Sequence, residues 1–111
     1  MNSYNNESLY GSWQYKSDNE EILFTFNRDS TCELTFIDGN SSQKISGKFE
    51  VDFSKSPFPL TIRNIPQLNH PLHTILQFKS FDEIRVATFS PRWRLRPISF
   101  NRDTEMIFRK Q

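Results

Sequence analysis

The chain has 111 residues and a mass of 13.2 kDa, which is one ordinary domain and leaves no room for two. Its apolar share of 35% is low, but aromatics supply 14% of the residues, 11 of them Phe, and rings of that size bury enough surface to exclude a disordered chain. A formal net charge of +1 identifies no partner by itself, and a single cysteine, Cys32, excludes an intrachain disulfide and a multi-cysteine metal site.

Residues 1–8 are polar and read as a flexible N-terminal segment, with one domain over 9–111. From there the chain alternates between two-residue apolar periodicity and turn signals. Gly11 precedes a first strand with Trp13 and Tyr15 on one face, and Ser17-Asp18-Asn19 turns. A second strand carries Ile22, Phe24 and Phe26, and a third carries Cys32, Leu34 and Phe36, with Asn27 to Ser30 between them. Asp38-Gly39-Asn40 is a hairpin signal because Gly and Asn accept positive φ.

The fourth strand has the cleanest alternation. Ile45, Gly47, Phe49, Val51 and Phe53 fall on one face, and Lys44, Ser46, Lys48, Glu50 and Asp52 on the other. Gly47 on the inward face predicts strand curvature or a close backbone approach. Pro57 and Pro59 interrupt the pattern. Leu60–Asn64 reads as a short strand and Pro66–Pro71 as a loop. Thr74, Leu76 and Phe78 form the next inward set, Phe81-Asp82-Glu83 a turn, and Ile84, Val86 and Thr88 another strand. Ser90–Pro97 reads as irregular. Thr104–Arg109 closes the series, with Thr104, Met106 and Phe108 inward.

About eight short strands and no sustained 3.6-residue period predict an all-β fold, an antiparallel up-and-down barrel of about eight strands, with a two-sheet sandwich as the alternative.

The order of several motifs resembles a small, largely uncharacterised family of bacterial lipocalin-like domains. Gly11-Ser12-Trp13 looks like the Gly-x-Trp opening of lipocalins. Gly47-Lys48-Phe49 followed by Pro57-Phe58-Pro59-Leu60 resembles the family's middle segment, although Thr61 stands where the family usually has Asp. The Ile75–Ala87 stretch looks like its hairpin without the usual Gly-Asp turn. Arg96-Pro97-Ile98-Ser99-Phe100 and Met106-Ile107-Phe108-Arg109 resemble its ending. The resemblance spans Leu9 to Lys110. It implies a barrel, the uptake of small apolar molecules as in true lipocalins, and a basic residue of the last strand packed near Trp13, for which Arg109 is the matching position.

Two readings of the inner aromatics stand side by side. Trp13, Phe24, Phe26, Phe36, Phe49, Phe78 and Phe108 either line a ligand cavity or fill the barrel as core. Arg92, Trp93, Arg94 and Arg96 form an unusual basic stretch. It either snorkels over the barrel rim or grips an anionic group or an acidic protein surface.

Residues 84–111 hold seven basic and two acidic residues, net +5, against −4 for the first 83. The low total charge speaks against nucleic acid.

No cofactor is expected. His70 and His73 flank Pro71 with no third ligand nearby, which predicts no metal site. No Gly-rich phosphate loop, nucleophile elbow or metalloprotease His pair is present, and Cys32 lies on an apolar face, so no catalytic set is assigned. The expected function is non-catalytic binding of a small apolar or amphipathic ligand. The alternative is a protein-interaction or accessory module using residues 92–96.

No run approaches the ~20 apolar residues that span a bilayer. The N-terminus lacks the pattern of a secretory signal, so the cytoplasm is the default expectation, and secretion requires a leader removed beforehand. Asn6-Glu7-Ser8 and Asn40-Ser41-Ser42 match the glycosylation pattern, which acts only in a secreted chain.

Overall fold

The computed structural model describes residues 4–90, 100 and 105–111. Eight strands follow one another in a closed antiparallel barrel with every neighbour adjacent in sequence: β1 Gly11–Lys16, β2 Glu20–Phe26, β3 Thr31–Asp38, β4 Ser41–Val51, β5 Phe58–Arg63, β6 Leu72–Ser80, β7 Glu83–Ala87 and β8 Glu105–Lys110, with β8 returning to β1. This is the up-and-down barrel that the alternating pattern predicts. Closure removes the sheet edges that a sandwich would leave exposed.

The alternation works as the periodicity requires. Ile22, Phe24 and Phe26 of β2, Cys32 and Leu34 of β3, and Ile45 and Phe49 of β4 are buried in one cluster with Trp13, Leu60, Ile62, Leu76, Ile84, Val86, Met106 and Phe108. Gly47 belongs to the same inward face. A Cβ there would stand 2.6 Å from the Arg63 carbonyl oxygen and 3.0 Å from Ile62 Cγ2 and Ile65 Cγ1, so the glycine is where β4 lets the end of β5 come in close.

Strand limits differ from the periodicity in three places. β4 ends at Val51 rather than at Phe53, because Asp52 turns the chain: its carboxylate accepts bonds from Ser54 N at 2.9 Å and Ser54 Oγ at 2.5 Å. β5 begins at Phe58 and includes Pro59, which the sequence treats as an interruption. Pro59 is tolerated because it lies just past Leu60, whose partner Val51 is the last residue of the β4–β5 ladder, and its carbonyl still accepts Asp52 N at 3.0 Å. β7 stops at Ala87, leaving Thr88 exposed just beyond it.

One element has no counterpart in the periodicity. Asn6–Leu9 form a single helical turn, α1, capped by Asn5, whose side chain accepts Glu7 N at 2.9 Å while the Ser8 hydroxyl accepts Asn5 N at 3.2 Å. The turn delivers Leu9, fully buried, to the end of the barrel where β1 begins.

The opposite faces of β5 and β6 are also covered. Thr61, His73 and Ile75 alternate with the inward Leu60, Ile62, Thr74 and Leu76, yet all three are buried. On this outer side Phe100 lies with its ring 4.3 Å from the Arg85 guanidinium, and Arg85 in turn pairs with Glu105 and bonds Gln77 at 3.2 Å. Among the described residues no helix is long and apolar enough to cross a membrane.

Candidate functional site

The two ends of the barrel differ in chemistry. At one end, the turns after β2, β4 and β6 meet α1. Here Trp13 is fully buried, donates from Nε1 to the Leu9 carbonyl at 2.9 Å, and meets Phe78 edge-on at 6.4 Å. Tyr4 stacks on Phe78 at 4.0 Å, and Phe58 lies 6.4 Å from Phe78 and 4.9 Å from Phe53. This end is plugged by aromatic rings.

The cation over the Trp13 indole is Lys110, with Nζ 5.4 Å from the ring centroid, and not Arg109. The reason is the pleat: Arg109 faces outward, with its side chain 77% exposed and Nε 3.3 Å from Glu83 Oε2. Gly11 explains the start of the Gly-x-Trp motif. Its φ of 120° suits only glycine, and a Cβ would touch Lys110 Cε at 3.4 Å, along the stem that carries the ammonium toward Trp13.

The middle of the barrel is filled. Phe24 stacks on Phe26 at 4.1 Å and meets Phe108 edge-on at 6.1 Å, and Phe26 meets Phe49 at 4.9 Å. Phe24, Phe26, Phe49 and Phe108 are each 4% exposed or less. Of the seven aromatics singled out from the sequence, Phe24, Phe26, Phe49 and Phe108 therefore pack against one another, and Trp13 belongs to the same buried cluster from the plugged end. Phe78 belongs to the plug, and Phe36 alone stands elsewhere.

Phe36 lines a cleft of about 380 Å³ at the other mouth, bounded by the β1–β2 and β3–β4 turns and the connections that follow β5 and β7. Its wall is apolar: Ile22, Phe36, Ile45, Leu68, Leu72, Phe89 and Met106, with Glu20, Gln43 and Thr88 as its polar members. The register explains why these residues meet. Ile22 pairs with Phe36, and Phe36 with Gln43, in one row across β2, β3 and β4. Leu68 is brought in by a turn in which its N–H donates to the Ile65 carbonyl at 3.1 Å. Gln67 ties that same segment to β4 through Lys44 O at 3.2 Å. Phe89 connects cleft to core, with its ring 6.3 Å from that of Phe24.

The titratable candidates stand apart from this cleft. Burial pushes the Cys32 thiol up to about 12, which keeps it protonated and unreactive as a nucleophile at neutral pH. His70 Nδ1 lies 3.0 Å from the Pro71 carbonyl, and His73 Nδ1 lies 3.3 Å from Thr61 Oγ1, so the two rings serve different neighbours. Among the described residues, no three His, Cys, Asp or Glu side chains converge as metal ligands would.

Arg92, Trp93, Arg94 and Arg96 lie outside the described residues. They belong in sequence to the β7–β8 connection, between Ser90, which is bridged to His73 by N–H···O bonds of 2.7 and 2.8 Å, and Phe100.

Alternation along a strand tells which side chains point inward, but not how high each one sits along the barrel axis. Strand tilt sets that height. The paired row Trp13, Phe24, Leu34, Ile45 begins in the plug and ends in the cleft. Leu68, Leu72 and Phe89 carried no alternation signal, because they sit at or beyond strand ends.

Comparison of the chain with protein-family models, with curated proteins and with solved structures returns no match.

Proposed function

We propose that this protein is a lipocalin-like binding barrel that takes up a small apolar or amphipathic molecule at its open mouth, without catalysis. The observation that carries the reading is the apolar cleft of about 380 Å³ set above a filled core. Its size falls in the range of small-molecule sites, and a mainly aliphatic and aromatic wall with a few polar groups is the composition such sites share. The apolar part of the ligand lies against Ile22, Ile45, Leu72 and Met106, and its polar end meets Glu20, Gln43 or Thr88 at the rim. Two further features support kinship with the lipocalin-like family: the Gly11-Ser12-Trp13 opening, and a base from the last strand, Lys110, over the Trp13 ring.

The test is native mass spectrometry of protein purified without denaturation, on the wild type and on Ile45→Trp. The reading expects a stoichiometric apolar or amphipathic passenger on the wild type that is depleted on the variant, because an indole at position 45 occupies the cleft. A passenger held equally by both proteins, or no uptake after incubation with a long-chain alcohol, contradicts it.

A further inference from the structure

The strand register carries the inward face of the wall past the cleft to its rim. Ile22 pairs with Phe36 and Phe36 with Gln43; the next inward row toward the mouth is Glu20, Asp38 and Ser41, with Glu20 directly opposite Asp38. Successive inward rows lie two residues apart, so this row stands about 7 Å of strand beyond Phe36. Glu20 itself lines the cleft. An apolar face thus ends on two carboxylates set side by side.

Like charges directly opposite each other in an antiparallel pair destabilise the sheet. No described base offsets this pair. Neither Glu20 nor Asp38 makes an ion pair with a described residue. The bases of the adjoining strands at this end belong to the outer face: Lys16 stands opposite Glu21, and Lys44 lies 3.2 Å from Glu33. The described residues of the four connections around the mouth, 17–19, 39–40, 64–71, 88–90 and 100, include Asp18 and no Lys or Arg. His70 of these connections has its Nδ1 3.0 Å from the Pro71 carbonyl.

We propose that the mouth cleft selects a cationic amphiphile, an apolar chain ending in an ammonium group. The inference rests on the binding reading above and adds the sign of the ligand's head. The chain lies against Phe36, Ile45, Leu72 and Met106, and the ammonium sits between the Glu20 and Asp38 carboxylates. There it attracts both and relieves their mutual repulsion. An uncharged head leaves that repulsion in place, and a carboxylate head adds to it.

The experiment compares dodecylammonium, dodecanol and dodecanoate on the full chain, each below its micelle-forming concentration, with binding followed by NMR at the Ile22 and Ile45 methyl groups. At low ionic strength, dodecylammonium should bind about three- to tenfold more tightly than dodecanol, and dodecanoate more weakly than either. Added salt should shrink the difference, because the rim is exposed. In the Glu20→Gln, Asp38→Asn double variant, the amine and the alcohol should bind alike. In the free protein, neither substitution alone should lower the urea midpoint, because each removes a like-charge contact.

Equal affinity of the wild type for the amine and the alcohol overturns the proposal and leaves the binding reading standing. Tighter binding of dodecanoate also overturns it and assigns the head to a base of the β7–β8 connection. A lower urea midpoint in either single variant overturns it as well, since the carboxylate would then be held by a base. An absence of shifts with all three probes contradicts both the proposal and the binding reading.

Discussion

Gly47 shows how one atom is constrained by the whole curve of the wall. A methyl group added there meets a backbone oxygen at 2.6 Å rather than the movable end of a side chain. Gly47→Ala is therefore expected to destabilise the protein by about 1–3 kcal/mol in urea denaturation. Ser46→Ala, on the other face of the same strand, should stay within about 0.5 kcal/mol. Equal effects would mean that β5 does not approach as described.

A second residue-scale effect lies in the β2–β3 turn. The Asp29 carboxylate accepts both the hydroxyl and the N–H of Thr31, at 2.5 and 3.1 Å, and these bonds hold its carboxyl below the ordinary 3.8. A lowered folded pKa means the contribution to stability is present above pH 3.8 and is lost as pH falls through the folded value. Thr31→Val removes the larger of the two causes, so the Asp29 pKa followed by NMR should rise toward 3.8. No change on substitution would show that the hydroxyl bond is not formed in solution.

At the scale of elements, most strands are legible in the sequence because half-buried strands alternate. The fold class, the inward faces of β2 and β4, and the close approach at Gly47 all follow from that pattern. Other features do not, each for a physical reason. Pro59 reads as a breaker, but the loss of one donor is harmless at the end of a ladder. The basic partner of Trp13 is displaced by one residue, because a one-step shift along a pleated strand reverses the face and only Lys110 reaches the ring.

The helical turn α1 escapes a search for 3.6-residue periodicity because four residues are too few to show one. Its only sequence mark is Asn5 three residues before Ser8. That turn serves to bring Leu9 over the plug. Leu9→Ala is expected to cost about 2–5 kcal/mol by denaturant titration, as for a core leucine, while Asn5→Ala should cost at most about 1 kcal/mol. A Leu9 effect as small as the cap's would place α1 off the barrel end.

At the scale of the whole molecule, the barrel divides along its axis into an aromatic plug, a filled middle and an apolar mouth. The sequence alone left filling and ligand lining as alternatives for the same set of rings. The structure divides that set by height along the barrel axis, which strand tilt fixes: Phe36 lies near the mouth end of β3, whereas the other rings sit lower. Trp13, Phe24, Phe26, Phe49 and Phe108 hold the fold, and of the seven only Phe36 reaches the cleft.

The binding reading rests on that division. Its most direct test is a methyl-resolved NMR titration of the full chain with dodecanol as the apolar probe. The account predicts saturable shifts at the methyl groups of Ile22, Ile45, Leu72 and Met106, with those of Leu9, Leu60 and Ile84 unmoved. Shifts centred on Leu60 and Ile84 would mean that the middle of the barrel opens to ligand, and an absence of shifts at the mouth would contradict binding there.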